Sequence, residues 1–504
     1  MNRPRSHHAF TPVLLVSSLA LAACTTVGPD FESPAAPAVA VYTARPLPNA
    51  TSSAPNQAHG QAQSFSTDQP LTPNWWTGFG SDKLNALIEE GLRASPTLEA
   101  AQARLRQAEQ TYDAQAGSSQ YPQLNANLGA QRTHTSNSNF GQRGQGRTYD
   151  LYNAGVSVSY LLDVFGGNRR ALESLAAQAD YRRYQMIGAR LTLAANIVTT
   201  AMMQAQYAAQ MSATTSILAA QQKQVDIAHV RFQLGAIARG DEYTLRTQLE
   251  QTRASVSPLR NLLDQTNHLL AVLTGQPPGA AQIPQFTLAD FSLPTALPLI
   301  VPSELVRQRP DIQASEALLH SANAEYGVAI AASYPKINLS ANLGAQALAT
   351  SSLFGPGSIV WGLTGQLLQP LFNGGLKAGV NSAQAATDAA AANYRETVLN
   401  ALRNVADVLR ALDNDAQTLQ AQATADNAAQ SALKIIQQQY QLGGASYLQL
   451  LLAQQQAQQT RINLIAAEVR RLTTTAAFYQ AMGGGQLPVE TTQSKGLGVA
   501  RPPA

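Results

Sequence analysis

Beyond the first twenty residues the chain holds five histidines, His59, His134, His229, His268 and His320. Imidazole is the side chain most often recruited for proton transfer or metal binding near neutral pH. Here the histidines are scattered: none forms a ligand pair at helical spacing, and none sits beside a carboxylate cluster that would complete a metal or acid–base set. Gly141-Gln-Arg-Gly-Gln-Gly146 has the glycine spacing of a phosphate-cradling loop but lacks the Lys-Ser/Thr that such a loop needs, so it reads as a flexible surface loop. The one remaining reactive group is the thiol of Cys24, the only cysteine, which excludes an intramolecular disulfide. The residues therefore point away from an enzyme, and no metal or organic cofactor is expected.

Cys24 has a telling context. Arg3 and Arg5 precede an apolar stretch that starts near Val13 and ends in Leu21-Ala22-Ala23-Cys24. This is the order of an export signal, and it is too short for a spanning helix, which takes roughly 20 apolar residues. Leu-Ala-Ala-Cys resembles the lipobox of bacterial lipoproteins, whose cysteine is acylated and becomes the first residue of the mature chain. Thr25 is not the aspartate that marks inner-membrane retention in lipoproteins, so sorting to the outer membrane is expected. The formal charge is +3, and +1 once Arg3 and Arg5 leave with the signal, which gives no reason to expect nucleic acid.

The elements that carry these residues come in two copies. Tyr121-Pro-Gln-Leu-Asn-Ala-Asn-Leu-Gly-Ala-Gln131 returns as Tyr334-Pro-Lys-Ile-Asn-Leu-Ser-Ala-Asn-Leu-Gly-Ala-Gln346. Phe165-Gly-Gly returns as Phe372-Asn-Gly-Gly, and Phe232-Gln-Leu-Gly235 as Tyr440-Gln-Leu-Gly443. The copies lie about 210 residues apart each time, the mark of one structural unit used twice. With 45% hydrophobic but only 6% aromatic and 13% charged residues, the unit lacks the aromatic-rich core of a compact enzyme.

Each copy mixes two periods. Leu124, Ala126, Leu128 and Ala130 alternate with Gln123, Asn125, Asn127 and Gly129, and Tyr152, Ala154, Val156, Val158 and Tyr160 alternate with Asn153, Gly155, Ser157 and Ser159. Between them, 131–149 reads as a polar loop. The second copy answers with Ile337, Leu339, Ala341, Leu343 and Ala345, and with Ile359, Trp361, Leu363 and Leu367. Period two over about nine residues is the pattern of a membrane-barrel strand, one face to lipid and one to water. That makes four such strands and no convincing fifth.

Long proline-free helices follow, 168–232 and 376–440. Some 65 residues at 1.5 Å each would reach roughly 100 Å. Val398, Leu402, Val405, Leu409 and Leu412 step by four and three, as do Leu191, Ala195, Val198, Met202 and Ala205, so these faces pack laterally. Both helices end at a Leu-Gly turn, and returning helices follow at 241–275 and 447–482. An earlier helical stretch, 82–119, is interrupted at Ser95-Pro96. Residues 25–80 read as an extended tether leading to a packed Trp75-Trp76, and 276–302, with six prolines, as an irregular linker. Four strands with two open edges are not viable in a bilayer, so the chain must oligomerise; eight strands from two copies or twelve from three both close.

Arg309-Pro-Asp-Ile312, Ser321-Ala-Asn-Ala-Glu-Tyr326 and Tyr334-Pro335 together resemble the signature of TolC-like outer-membrane efflux proteins, in the lipoprotein branch typified by OprM and NodT. The likeness runs from Cys24 to about Gly485. It implies an α+β membrane protein: a homotrimer with a twelve-stranded outer-membrane β-barrel continuing into a long periplasmic α-helical barrel, with a mixed girdle between. On that basis the expected layout is a signal peptide, 1–23; a lipidated tether and equatorial segment, 24–80; a first repeat, 81–275; a Pro-rich equatorial linker, 276–303; a second repeat, 304–482; and a tail, 483–504.

The resemblance also implies partners and sites. The partners would be a periplasmic membrane-fusion adaptor, an inner-membrane transporter of the resistance-nodulation-division, fusaric-acid or another class, and outer-membrane lipid. The tip turns Leu234, Gly235, Ala236, Leu442, Gly443 and Gly444 would seat the adaptor. Asp241 matches a pore-facing carboxylate just past the turn, whereas Gln449 and Leu452 stand where the second copy would carry acids. Leu448 and Leu452 would either seal the tip or pack between helices. Antibiotic or other small-molecule efflux is the expected function; protein secretion through the same architecture and a non-conducting structural lipoprotein are the alternatives.

Overall fold

The computed structural model describes residues 26–67, 69–136, 141 and 146–485. Cys24, the signal and the end of the tail lie outside the described residues, as does most of the Gly141–Gly146 loop. Two compact units arise. One takes in Arg104–Arg183, Ala314–Arg395 and the chain up to Pro34; the other takes in Ala35–Ala103, Tyr184–Gln313 and the chain from Glu396.

In chain order the elements are β1 (Ser64–Ser66), α1 (Asp82–Ala94), α2 (Pro96–Ser119), β2 (Gln123–Thr135), β3 (Arg147–Leu162), α3 (Gly167–Gln233), α4 (Arg239–Leu273), β4 (Ala296–Pro298), α5 (Pro302–Gln308), α6 (Pro310–Ala331), β5 (Lys336–Ala347), β6 (Ile359–Leu368), α7 (Gly374–Gln441) and α8 (Tyr447–Ala481). The break at Ser95-Pro96 is real: Ser95 closes α1 with its N–H on the Gly91 carbonyl, and Pro96 opens α2 at a position that needs no N–H donor.

The sheet of the first unit is antiparallel, in the order β2-β3-β5-β6. Its register puts like with like. Across the four strands run the rows Ala126–Val156–Leu343–Trp361 and Leu124–Val158–Ala341–Leu363; the intervening rows, Asn125–Ser157–Asn342–Gly362 and Gln123–Ser159–Ser340–Thr364, are polar. Because side chains alternate across a strand, one whole face of the sheet is apolar and the other hydrophilic. Leu128, Leu363, Trp361 and Ile359 stand exposed on the apolar face. The ladder extends past the expected limits: β2 runs on to Thr135 opposite Arg147, inside the stretch read as loop. Backbone pairing continues there through residues such as Thr133 and Tyr149, which suit a pleated strand without apolar alternation.

In the second unit the core is helical. Val198, Met202 and Ala205 of α3 and Val405, Leu409 and Leu412 of α7 are fully buried, joined by Leu472, Ala476 and Phe478 of α8. α3 contains an 18-residue window apolar enough to cross a membrane. Its Ile197, Val198, Ala201 and Met202 are instead covered by the protein's own core, with Trp75, Trp76 and Phe79 in the same cluster.

Two segments depart from expectation here. The stretch read as a tether is packed from about Tyr42 onward, and the proline-rich linker is part of the core. β1 pairs in parallel with β4, Phe65 opposite Leu297. Phe286, Phe291 and Leu297 are buried. Arg471 of α8, wholly buried, donates from Nη2 to Thr51 Oγ1 (3.1 Å) and to the Gln61 carbonyl. Gln63 donates to the Pro294 carbonyl and to Thr475 Oγ1. Prolines removed the periodicity that marks an element in sequence, but the aromatic and aliphatic residues between them still had to be buried.

Candidate functional site

Both hairpin tips end in the same backbone geometry. At the first, Ala236 N–H reaches the Arg231 carbonyl (2.8 Å) and Gly235 N–H the Phe232 carbonyl (2.9 Å); at the second, Gly444 N–H reaches Gln439 (2.8 Å) and Gly443 N–H reaches Tyr440 (3.2 Å). These are Schellman closures, with Gly235 at φ 72° and Gly443 at φ 78°, a region that residues with a Cβ enter at a cost. Around each turn Leu234 and Leu442 are 77% and 88% exposed, so each tip presents an apolar side chain with nothing of its own chain over it.

Asp241 stands in the first turn of α4, exposed, where a carboxylate is favoured by the helix N-terminus. Its charge acts on Tyr447 at the start of α8. Burial first, then Tyr440 and Asp241, push the Tyr447 hydroxyl up to about 12, and that hydroxyl has no hydrogen-bond partner among the described residues. Gln449 does not mirror Asp241. Its Oε1 accepts from Ser446 N–H (2.7 Å) while Ser446 Oγ accepts from Gln449 N–H (3.3 Å), a reciprocal capping box at the start of α8. Leu448 and Leu452, one turn apart, are 61% and 57% exposed while Leu450, Leu451 and Gln454 are buried, so the chain itself leaves more than half of each of these two leucines uncovered.

Other tip contacts have no local mark in the sequence. His229 Nδ1 lies 2.9 Å from Glu242 Oε1, across the first hairpin, and His229 Nε2 lies 2.9 Å from Gln233 Nε2. The Arg231 guanidinium lies over the Tyr440 ring and that of Arg239 over Phe232 and Tyr243. Ser446-x-x-Gln449, by contrast, is a capping signature that the sequence displays openly.

The Arg309-Pro-Asp motif is a clamp. The Arg309 guanidinium meets Asp311 through Nε (3.0 Å) and Nη2 (2.7 Å), and Nη1 donates to the Ala481 carbonyl at the end of α8 (2.9 Å) and to Asn404 of α7 (3.3 Å).

Midway along the α7–α8 pair, Glu468 (8% exposed) faces Asp426 (2% exposed), with Arg461 paired to Asp426 at 3.4 Å. Burial pushes the Glu468 carboxyl up from 4.5 to about 7; Arg461 opposes the rise and Asp426 adds to it. Between those pH values the folded chain keeps a proton that the unfolded chain has released, so stability falls as pH rises through the window. Above pH 7 the cost reaches about 3 kcal/mol. Glu468→Gln is expected to remove that slope and to stabilise the protein by about 2–3 kcal/mol above pH 7. Unfolding curves of variant and parent at pH 5 and pH 8 measure this, and an unchanged difference between the two pH values would count against it.

Among the described residues no group of His, Cys, Asp and Glu could hold a metal ion.

Comparison with known proteins agrees with this geometry. A family model described as outer membrane efflux protein matches residues 87–276 and 301–484. The toluene efflux pump outer membrane protein TtgC of Pseudomonas putida is 29% identical over 480 residues, covering 94% of this chain and 95% of that protein. The probable outer membrane lipoprotein SilC of Salmonella typhimurium is 27% identical, covering 92% and 96%. Among solved structures, the outer-membrane channel OprN superposes with a TM-score of 0.82 at 26% identity, over 92% of this chain and 99% of that one.

Proposed function

Because the chain belongs to the outer membrane efflux protein family, we propose that it is the exit duct of a tripartite efflux system, a passive outer-membrane channel that receives small molecules from an inner-membrane transporter through a periplasmic adaptor. The observation that carries this reading is the four-stranded sheet with one apolar and one polar face, whose outer edges on β2 and β6 pair with no other strand among the described residues. In hydrocarbon each unpaired backbone group costs several kcal/mol, so the edges must meet those of other copies. Three copies give the twelve strands of a closed barrel whose polar faces line a water-filled lumen. A structural lipoprotein that conducts nothing has no use for such a sheet.

The hairpin tips take the other end of the work. Leu234, Gly235 and Ala236 with Leu442, Gly443 and Gly444 form the adaptor seats, while Asp241, Tyr447, Leu448 and Leu452 belong to the gate. Gln449 holds the helix end on which the gate stands. The transporter, whether of the resistance-nodulation-division, fusaric-acid or another class, supplies the energy and chooses the cargo.

The reading is tested by weighing the detergent-solubilised protein by native mass spectrometry and recording it in planar bilayers. Three chains per particle and discrete conducting steps are expected; a dimer, or a trimer that never conducts, would refute the duct. Lipidation of Cys24 gives a separate expectation. Cys24→Ala should abolish palmitate labelling of the mature protein while the barrel still reaches the membrane, since the strands carry their own apolar face; retained label would disprove the anchor.

A further inference from the structure

A cavity of about 390 Å³ lies where α2 ends, β3 ends and α3 begins, walled by Tyr160, Leu162, Asp163, Asn168, Arg169 and Leu172 among others. Its position on the sheet is set by register. Tyr160 stands opposite Leu339 and Leu162 opposite Ile337, in line with Val158 and Val156, so the strand part of the wall belongs to the apolar face. Asp163 follows directly as the chain leaves the strand. The cavity thus sits where the lipid-facing surface meets the first charged groups, the level at which a bilayer changes from hydrocarbon to headgroups.

Its charges are opposite and adjacent. The Asp163 carboxylate caps α3, accepting from the N–H groups of Asn168 (3.1 Å) and Arg169 (2.9 Å). A carboxylate has about four acceptor sites, so beyond these two bonds and the facing Arg169 guanidinium one remains for a ligand. The Arg169 guanidinium lies 3.5 Å from Asp163 Oδ2 and donates to the Asp163 carbonyl (3.4 Å); its side chain is 49% exposed and has no other partner among the described residues. A guanidinium offers five donors in a planar fork suited to phosphate. The volume falls within the roughly 300–1,000 Å³ of small-molecule sites, well above the ~30 Å³ share of a single water.

We propose that this cavity binds the zwitterionic headgroup of a membrane phospholipid, its ammonium toward Asp163 and its phosphate on Arg169, with the acyl chains following the Tyr160–Leu162 edge of the sheet. The proposal rests on the reading that the sheet lies in the outer membrane. Two observations select the occupant: the wall continues the lipid-facing surface, and the paired charges complement a molecule that carries both signs. An anionic headgroup without an amine would still place its phosphate on Arg169 but would leave the Asp163 carboxylate without a cation. Bound there, the lipid fastens the first turn of α3 to the leaflet and fixes the depth at which the barrel ends.

The test uses the full-length oligomer in mild detergent, titrated with phosphatidylethanolamine or phosphatidylglycerol of identical acyl chains and read by native mass spectrometry. The parent should retain phosphatidylethanolamine at least about fivefold better, and Arg169→Ala should lower that retention about tenfold, the scale of a lost charge-assisted contact. Asp163→Asn removes the charge but, with one amide oxygen, keeps only one of the two backbone N–H bonds that Oδ1 and Oδ2 accept separately; in the assembled oligomer it should shift the preference toward phosphatidylglycerol. Arg169→Gln serves if the alanine variant does not assemble. Equal retention of both lipids by the parent, or undiminished phosphatidylethanolamine on the Arg169 variants, overturns the site. Insertion of the parent into liposomes is scored in parallel. A protein that does not insert sinks the membrane reading and the site with it, whereas an inserted protein without lipid preference sinks the site alone.

Discussion

Replacing Leu448 and Leu452 together by serine is expected to raise single-channel conductance in planar bilayers about tenfold, since removing ~1.4 kcal/mol from a barrier changes a rate by that factor. The two leucines are one turn apart at the start of α8 and more than half exposed, while the intervening Leu450 and Leu451 are buried. The hairpin therefore keeps its own packing through Leu450 and Leu451, and Leu448 and Leu452 are surplus to it. In a trimer they supply two stacked rings of three apolar side chains at the tip, about 6 Å apart, and an apolar constriction of that kind excludes water and with it ions. Serine at both places hydrates the constriction without removing a core contact. Asp241→Asn is the contrasting change: it leaves the apolar ring in place and should alter cation preference rather than total conductance. Unchanged conductance in the double serine variant would mean that the leucines are covered by neighbouring helices, and the seal would have to be abandoned.

What the sequence made readable depended on period. α3 and α7 begin and end within two residues of the limits drawn from proline absence and the Leu-Gly turns, because a long helix announces itself at both ends and along its whole face. The four strands were readable for the same reason, although β2 and β3 extend farther than alternation indicated, since backbone pairing does not require an apolar partner row. β1 and β4 were missed. Each has three residues, too short for any period to show, and each exists only because the other lies beside it.

The tip was half readable. Gly235 and Gly443 turn the chain as their neighbours suggested, and Ser446-x-x-Gln449 carried a cap that reading Gln449 only as a missing acid overlooked. His229 with Glu242, and Tyr447 with Asp241, depend on which residues two separate helices bring together, and no local pattern encodes that. The copies therefore differ in more than one charge: the first tip ties its two helices with an imidazole–carboxylate contact, whereas the second closes the start of α8 with a capping box.

Arg170→Met is expected to destabilise the sheet-bearing unit by about 3–5 kcal/mol, the range for removing one member of a buried charged network. The Arg170 side chain is only 3% exposed, and its guanidinium gathers four groups: the carbonyls of Val27 and Gly28 (3.2 Å each), Asp30 (2.6 Å) and Glu173 (2.7 Å). Asn323 adds a bond to the Pro29 carbonyl, and Phe31 stacks on His320, whose Nε2 is 2.8 Å from Glu173. Gly28 fits this cradle only without a side chain: its φ is +90°, and a Cβ would lie 2.8 Å from the Gly327 Cα. Methionine fills the volume but strands two backbone carbonyls, each costing about 1–3 kcal/mol when unpaired and buried. Asp30→Asn should cost less than about 1 kcal/mol, because Asp30 is 91% exposed and water replaces what it loses. Lysine at position 170 should fall between, having the charge but not the fork. Thermal unfolding of the detergent-solubilised protein ranks the three variants, and limited proteolysis near Val27 reports whether the segment 27–31 has come loose. Val27, the first residue that Arg170 holds, lies three residues after Cys24. If Arg170→Met proves as mild as Asp30→Asn, the arginine is not what holds the segment, and the cradle is abandoned.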